Sequence, residues 1–310
     1  MKDILFLRGI DMGIVHQDDL YALKRTDSVL YSNIESRIQY ITKLYNAEVH
    51  ILAGKDIKSL ADLDGKPVNF FLENSPAETA AENIFRTLKI KVNKTYYDHR
   101  EALVKLKSGE IAATIVMTGA PQSTLQGVKK EADLHFLPID EATLPGRNVK
   151  QLLAEYLPAE LTSEMYPNLI EPGNSVPTIA SRALLVTYNW PEHTERFARV
   201  ARFVTKFFSK FDELHHKARH PKWRDVNLAA KVPGWVRFKP AKNWLEGRKT
   251  KIVASEITSG LSGDGNSAFE EFLENYTTAN GRPLDSKDKE ALISEFKQYI
   301  NKRVPNKVRR

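Results

Sequence analysis

The sequence predicts an α/β protein with two lobes, built on mainly parallel sheets. The chain has 310 residues, of which 42% are hydrophobic, enough to bury a sizeable core in two lobes. Between residues 57 and 140, short apolar runs alternate with amphipathic stretches of helical period, the pattern of repeated βαβ units. One of these apolar runs leads directly into a helix with a complete set of start signals.

That run and helix occupy Lys66–Leu88, the stretch around which the rest of the predicted fold is organised. Val68–Leu72 has the length and composition of a buried strand. Ser75 stands at the N-cap of the helix that follows and Glu78 at its third position, which together predict a capping box. Pro76, at the first helical position, supplies a φ angle already suited to a helix.

The turn between this strand and helix is the first candidate binding site. Unpaired backbone N–H groups and the positive end of the helix dipole point out of such a turn, and open α/β proteins bind small ligands there. We therefore expect Asn74, Ser75 and Thr79 to contact a ligand.

A second candidate lies near the start of the chain. Met12–Val15 reads as a short strand, followed by a polar loop, His16–Asp19, and a helix that begins near Leu20. Gln17 and Asp18 in this loop are predicted to line the cleft. The alternative is that Asp18 or Asp19 only caps the helix that starts there.

The remaining elements follow from apolar periodicity and breaker residues. Ile38–Leu44 and Glu48–Ala53 are predicted as two strands joined by Tyr45–Ala47. The other predicted elements are the helical segments Ser59–Leu63, Arg100–Lys107, Gln151–Tyr156 and one opened by Pro191, and the strands Lys94–Tyr97, Ala112–Met117, Leu134–Leu137 and Thr178–Thr187. Thr118 and Gly119 follow one of these strands and are expected at the same cleft edge as Asn74 and Ser75.

Composition and motifs favour binding over catalysis. The chain has no cysteine, which excludes disulfides, thiolate catalysis and cysteine-ligated zinc. It contains no nucleophile elbow, no P-loop, no dinucleotide fingerprint and no HExxH motif, so we predict no cofactor, no metal and no enzyme activity. His215, His216 and His220 are interpreted as surface histidines, because Pro221 ends any helix on which they could form a metal site.

Charge is unevenly distributed along the chain. The net charge is +7, and the basic excess is concentrated after residue 190. An anionic partner surface would fit this excess, but an ordinary solvated face is the simpler interpretation, and no nucleic-acid-binding motif is present. We therefore predict no nucleic-acid partner.

A set of short motifs resembles the TAXI-family solute-binding subunits of TRAP transporters over roughly residues 4–246. These motifs are Leu7–Val15 (LRGIDMGIV), Tyr40–Tyr45 (YITKLY) with Val49-His50, Ile57–Leu63 (IKSLADL) with Gly65-Lys66, Leu106–Ala113 and Gly119-Ala120-Pro121. The resemblance implies a periplasmic-binding-protein-like fold that closes about a hinge on a small organic acid or amino acid in the periplasm. It also implies delivery of that solute to a membrane permease.

The resemblance implies a domain organisation as well. Lobe one would comprise residues 1–54 and 141–246, lobe two residues 57–140, and residues 247–310 would form a C-terminal helical extension containing Ala268–Tyr276 and Lys287–Arg303. The family's signal peptide and first ligand loop have no counterpart here, so the chain is expected to be N-terminally truncated. The family's Gly-Ser-Gly-Thr turn is replaced in this sequence by Asn74-Ser75-Pro76-Ala77. An enzyme adapted from the same cleft and a cytoplasmic ligand-sensing domain are the alternatives.

Overall fold

The computed structural model describes residues 4–5, 9–25, 31–73 and 75–247. The chain divides into two compact units, residues 1–241 and 242–310. Asn74 and, from residue 248 onward, the predicted C-terminal extension with its two helices lie outside the described residues. No helix among the described residues is both long and apolar enough to cross a membrane.

The described part of the first unit contains one eight-stranded sheet with helices packed on it. The strands are β1 Met12–His16, β2 Ile38–Gly54, β3 Pro67–Asn69, β4 Asn93–Thr95, β5 Ala113–Thr118, β6 Leu134–Phe136, β7 Leu157–Thr162 and β8 Ser175–Tyr188. The α-helices are α1 Gln17–Arg25, α2 Ile34–Arg37, α3 Pro76–Leu88, α4 His99–Ser108, α5 Ser123–Gln126, α6 Val149–Glu155 and α7 Glu195–Ser209. The 3₁₀ segments are Leu60–Leu63, Lys130–Ala132, Phe211–His215 and Pro221–Asp225.

The predicted α/β class is confirmed, but the sheet is mixed and not mainly parallel. Its order is β1-β8-β2-β5-β3-β4, with β6 paired to β2 and β7 paired to β8. Only the β3–β4 and β3–β5 pairs are parallel. These three strands are the ones that α3 and α4 connect, as parallel neighbours require a crossover. The long strands β2 and β8 pair with each other and with their other neighbours in antiparallel fashion.

Two further predictions need correction, and one strand was not predicted. The two strands predicted on either side of Tyr45–Ala47 form the single strand β2, in which the pairing register with β8 shifts between Lys43 and Asn46. A β-bulge of this kind interrupts the alternation of apolar residues without ending the strand. The polar loop predicted at His16–Asp19 is instead the end of β1 and the first turn of α1. Strand β7 was not predicted, because Pro158 lies inside it and proline is disfavoured within strands.

Helix α3 begins at Pro76 as its sequence predicts, and the Ser75 half of the predicted capping box is formed. Ser75 is the N-cap, and its Oγ accepts a hydrogen bond from the Glu78 backbone N–H at 3.2 Å. The apolar face of the helix packs into the largest core cluster, where Ala80, Ala81 and Ile84 are fully buried. This packing fixes the opposite side of α3 towards α1 and α6, where the candidate site lies.

Helix α7 begins later than predicted. Thr194, not Pro191, precedes it, and the Thr194 Oγ1 accepts a hydrogen bond from the Phe197 backbone N–H. Val200, Val204 and Phe208 form its buried stripe. The division of the first unit into two lobes at residues 54, 57 and 140–141 stays a prediction.

Candidate functional site

Gln17 and Asp18 lie in the first turn of α1, and both are only 3% exposed. Gln17 is fully engaged within the protein, because its Oε1 accepts from Arg182 Nη1 at 3.0 Å and its Nε2 donates to the Tyr21 hydroxyl at 2.5 Å. The backbone N–H of Asp18 donates to Ser181 Oγ at 3.3 Å. These bonds attach the start of α1 to β8 and fix where the Asp18 carboxylate lies.

The Asp18 carboxylate is held by a tyrosine from the end of α6. Tyr156 donates its hydroxyl hydrogen to Asp18 Oδ2 at 3.0 Å, while Asp18 Oδ1 is buried and has no hydrogen-bond partner among the described residues. Burial, and next the charge of Asp18, raises the pKa of Tyr156 far above its usual value, so this tyrosine stays a donor. One oxygen of a buried carboxylate is therefore left to be satisfied.

Asp19 and His16 complete a titratable group around Asp18. Burial, and next the charge of the neighbouring Asp18, raise the pKa of Asp19 to about 7, and hydrogen bonds from the His16 backbone and the Thr79 side chain act in the opposite direction. Burial lowers the pKa of His16, and Asp18 partly opposes this shift. The predicted site residue Thr79 thus reaches across from α3 to the start of α1.

The start of α3 is already occupied by its own cap. Ser75 Oγ accepts from the Glu78 N–H, and Pro76 has no N–H to offer. One oxygen of Glu78 accepts from the Tyr96 hydroxyl at 2.6 Å, and this hydrogen bond is the main reason that the pKa of Tyr96 is raised to about 12. In the described part of the chain, Ser75 lines neither of the two cavities described below.

Between α1, α3 and the end of α6 lies a cleft of about 380 Å³. Its lining residues combine acidic, basic and neutral polar side chains: Asp18, Ala22, Arg25, Thr79, Glu82, Asn83, Arg86 and Tyr156. The volume suits a small polar molecule, since ligand pockets in proteins start near about 300 Å³. We refer to it as the α1–α3 cleft.

Hydrogen bonds at the rim of the α1–α3 cleft orient its basic residues. Arg25 binds both carboxylate oxygens of Glu155, at 3.0 and 3.3 Å. Asn83 Nδ2 donates to Glu155 Oε2 at 3.1 Å and to the Tyr156 hydroxyl at 3.2 Å, and Arg86 donates to Asn83 Oδ1. The sequence alone gives no signal for these residues, because only the packing of α3 against the end of α6 brings Asn83 and Arg86 close to Tyr156.

Thr118 and Gly119 lie in a second cavity, of about 150 Å³, at the end of β5. The other residues that line it are Tyr45, His220, Lys222 and Trp223. The structure thus brings Asp18 together with Thr79, and Thr118 together with Gly119, but in separate cavities. Ligand binding by the seven predicted residues stays a prediction.

The described residues offer little for metal or acid–base chemistry beyond this cleft. No group of three or more His, Asp or Glu residues in the described part of the chain is placed to hold a metal ion. His215, His216 and His220, predicted as surface histidines, lie in or beside the 3₁₀ segments after α7, and all three are exposed. The arrangement in the α1–α3 cleft is therefore one of charge complementarity and hydrogen bonding.

The fold and cavities define an α/β protein with a small polar cleft at a strand-to-helix junction. The NMT1-like family model matches residues 5–231, most of the chain. The chain belongs to the NMT1-like family. No curated protein is similar enough in sequence to count as a match.

Solved structures share only a remote similarity with this chain. The regulatory domain of Synechocystis PCC6803 CcmR in complex with 2-PG is 10% identical, with 71% of this chain and 80% of that chain covered and a TM-score of 0.40. ArtJ from Geobacillus stearothermophilus, an arginine-, lysine-, histidine-binding protein, is 14% identical, with 69% of this chain and 70% of that chain covered and a TM-score of 0.36. The substrate binding protein of an amino acid ABC transporter is 14% identical, with 68% of this chain and 70% of that chain covered and a TM-score of 0.36. Similarity at this level does not define a ligand for this chain.

Proposed function

We propose that this protein is an extracytoplasmic solute-binding subunit that captures a small organic acid or amino acid between two lobes. Capture takes place in the periplasm, and the solute is then delivered to a TRAP-type permease in the membrane. The observation that carries the proposal is the α1–α3 cleft, in which a buried carboxylate, Asp18, lies in the same cavity as the guanidinium groups of Arg25 and Arg86.

This mixture of charges fits the chemistry of the proposed solutes. Guanidinium groups bind carboxylates with paired hydrogen bonds, and Arg86 is an exposed side chain at the cleft. Asp18 Oδ1 has no partner among the described residues and would accept a hydrogen bond from an ammonium group. An amino acid carries both a carboxylate and an ammonium group, whereas an organic acid would bind only the arginine side chains of the cleft.

Membership of the NMT1-like family and the TAXI-like motifs support the transport part of the proposal. The motifs around Leu7–Val15 and Gly119–Pro121 resemble those of the binding subunits that serve TRAP permeases. Those subunits have a turn rich in glycine and threonine at the start of the corresponding helix. Here that turn is absent, and the side chain of Ser75 caps the helix instead. We therefore expect the solute to be held mainly by the α1–α3 cleft and not by the start of α3.

A binding role without catalysis is the simplest function for this cleft. Asp18 is fixed by Tyr156, and Asn83 and Glu155 are bonded to each other, so among the described residues at the cleft no side chain is arranged as a nucleophile beside a base. An enzyme would convert a solute that stabilises it, and a sensor would bind its solute without any effect on transport.

The test begins with a thermal-shift panel of dicarboxylates, keto acids and amino acids on the full chain, followed by calorimetry. Arg86→Ala should weaken binding of the best ligand by about tenfold to a hundredfold, the cost of a charge-assisted hydrogen bond of about 1.5–3 kcal/mol. Arg202→Ala, which removes an exposed arginine of α7 outside the cleft, is the matched control and should bind normally.

Two further measurements complete the test. Saturating ligand should reduce the radius of gyration in solution scattering, because the solute stabilises the closed state. Uptake into proteoliposomes that carry TRAP permease subunits should depend on the added protein. Product formation from the bound solute, or a panel with no stabilising compound, would contradict the proposal.

A further inference from the structure

The second cavity is partly filled by the chain itself. The 3₁₀ segment Pro221–Asp225 lies on the turn between β5 and α5, and His220 Nε2 is 3.1 Å from the Pro121 carbonyl oxygen. The stem of Lys222 packs so closely on Gly119 that a Cβ there would lie 2.9 Å from Lys222 Cγ. Glycine at position 119 is what allows this side chain to enter.

At the end of that stem, the Lys222 ammonium meets a buried carboxylate. Lys222 Nζ lies 2.5 Å from Glu48 Oε1 and 3.6 Å from Asp225 Oδ2. The Lys222 and Glu48 side chains are only 12% and 6% exposed. The second Glu48 oxygen accepts the Ala120 backbone N–H at 2.8 Å, which fixes the orientation of the carboxylate.

Around this pair the charges are unbalanced. Burial lowers the pKa of Lys43, and the positive charges of Arg182 and Lys222 lower it further. Glu48 is the buried carboxylate among these cations, and Asp225 lies at the exposed edge. Departure of the Lys222 ammonium would therefore relieve repulsion among the cations while leaving Glu48 in need of a replacement.

We propose that Glu48 is a receptor for a primary ammonium group and that Lys222 occupies it as an internal ligand. The site consists of the Glu48 carboxylate, the Ala120 N–H that orients it, the glycine surface at position 119 and the 150 Å³ cavity beside Lys222. The ligand class is a short alkyl amine, free or as the amine-bearing end of a larger solute. The site lies apart from the α1–α3 cleft and does not depend on the proposed transport function.

A primary ammonium fits this site better than other cations. It is compact and carries three donors on one atom, so that it can reach the Glu48 carboxylate along the glycine surface that the Lys222 stem contacts. A guanidinium is planar and wider, and a quaternary ammonium cannot donate a hydrogen bond to Glu48 at all.

Chemical rescue tests the proposal. Lys222→Ala removes Cγ, Cδ, Cε and Nζ, so that n-propylammonium supplies the missing atoms. At constant ionic strength, n-propylammonium chloride should raise the Tm of this variant by roughly 2–4 °C more than tetramethylammonium chloride does. In the unmodified protein Lys222 competes with the added amine, so its preference for n-propylammonium should be smaller than that of Lys222→Ala. Lys239→Ala, which removes a lysine paired with Glu192 on the surface, should respond as the unmodified protein does. Equal responses in Lys222→Ala would overturn the proposal.

A second variant covers the case in which Lys222→Ala does not fold. Glu48→Gln keeps an oxygen for the Ala120 N–H but loses the charge that holds Lys222. In hydrogen–deuterium exchange, peptides covering residues 118–122 and 219–226 should then exchange about tenfold faster, because the segment is released. Exchange unchanged from that of Lys239→Ala would show that Glu48 does not hold the segment, and would overturn the proposal.

Discussion

Replacement of Asp19 by asparagine tests whether the start of α1 contains a carboxyl group that the fold keeps protonated. The pKa of Asp19 is raised from 3.8 to about 7, first by burial and then by the charge of Asp18. The folded state therefore holds this proton up to a pH at which the unfolded chain has already released it. The stability that results is fully present below about pH 4 and is lost as the pH rises towards 7.

The magnitude follows from the size of the shift. Roughly three pKa units at 1.36 kcal/mol each give about 4 kcal/mol as the upper limit of this contribution. Asparagine does not titrate, so the free energy of unfolding of Asp19→Asn, relative to the unmodified protein, should increase by up to that amount between pH 4 and pH 8. Urea titrations followed by circular dichroism at several pH values measure this difference.

Two controls separate this effect from general pH sensitivity. Thr79→Val removes a hydrogen bond that favours the ionised form of Asp19, and should move the midpoint of the pH dependence upward. Asp62 has a lowered pKa because the backbone N–H groups of Lys58 and Ser59 bond to it, so Asp62→Asn should remove a contribution that is lost as the pH falls. The same pH dependence in Asp19→Asn and the unmodified protein would refute the reasoning.

Other substitutions test individual contacts by their free energies of unfolding. Ser75→Ala should cost about 1 kcal/mol through the lost cap to the Glu78 N–H, and Ser75→Gly only a few tenths; equal costs would argue against capping. Tyr156→Phe should cost about 1–3 kcal/mol, because it removes the hydroxyl that donates a hydrogen bond to the buried Asp18 carboxylate. A neutral effect would mean that water replaces the hydroxyl. Phe208→Ala should cost about 3–5 kcal/mol in chemical denaturation, and a much smaller loss would contradict its buried place in α7.

Local chemistry made part of the fold predictable. Helix α3 was predicted from Ser75, Pro76 and a helical spacing of apolar residues, and the structure contains the same cap. Helix α4 was predicted from its apolar spacing and ends at Gly109, which adopts a left-handed conformation with φ of 77°. In both cases the information lies within a few residues of the feature.

Features that depend on distant partners were not predictable in this way. The bulge in β2 becomes visible only against its register with β8, so the break near Asn46 was interpreted as a loop. Tyr156 becomes a site residue only because α6 brings it to Asp18, more than a hundred positions earlier in the chain. The raised pKa of Asp19 likewise requires burial, which no local pattern of acidic residues reveals.

The pairing of β1 with β8 also sets an order of events during synthesis. Met12 pairs with Thr187, so the first strand of the sheet has no partner until about three fifths of this sequence has been synthesised. Strands β3, β4 and β5 meet over fewer than sixty residues, and are able to assemble much earlier. Until β8 emerges, β1 is an unpaired edge on the nascent chain, and this interval is when the polypeptide is most exposed to aggregation or chaperone binding.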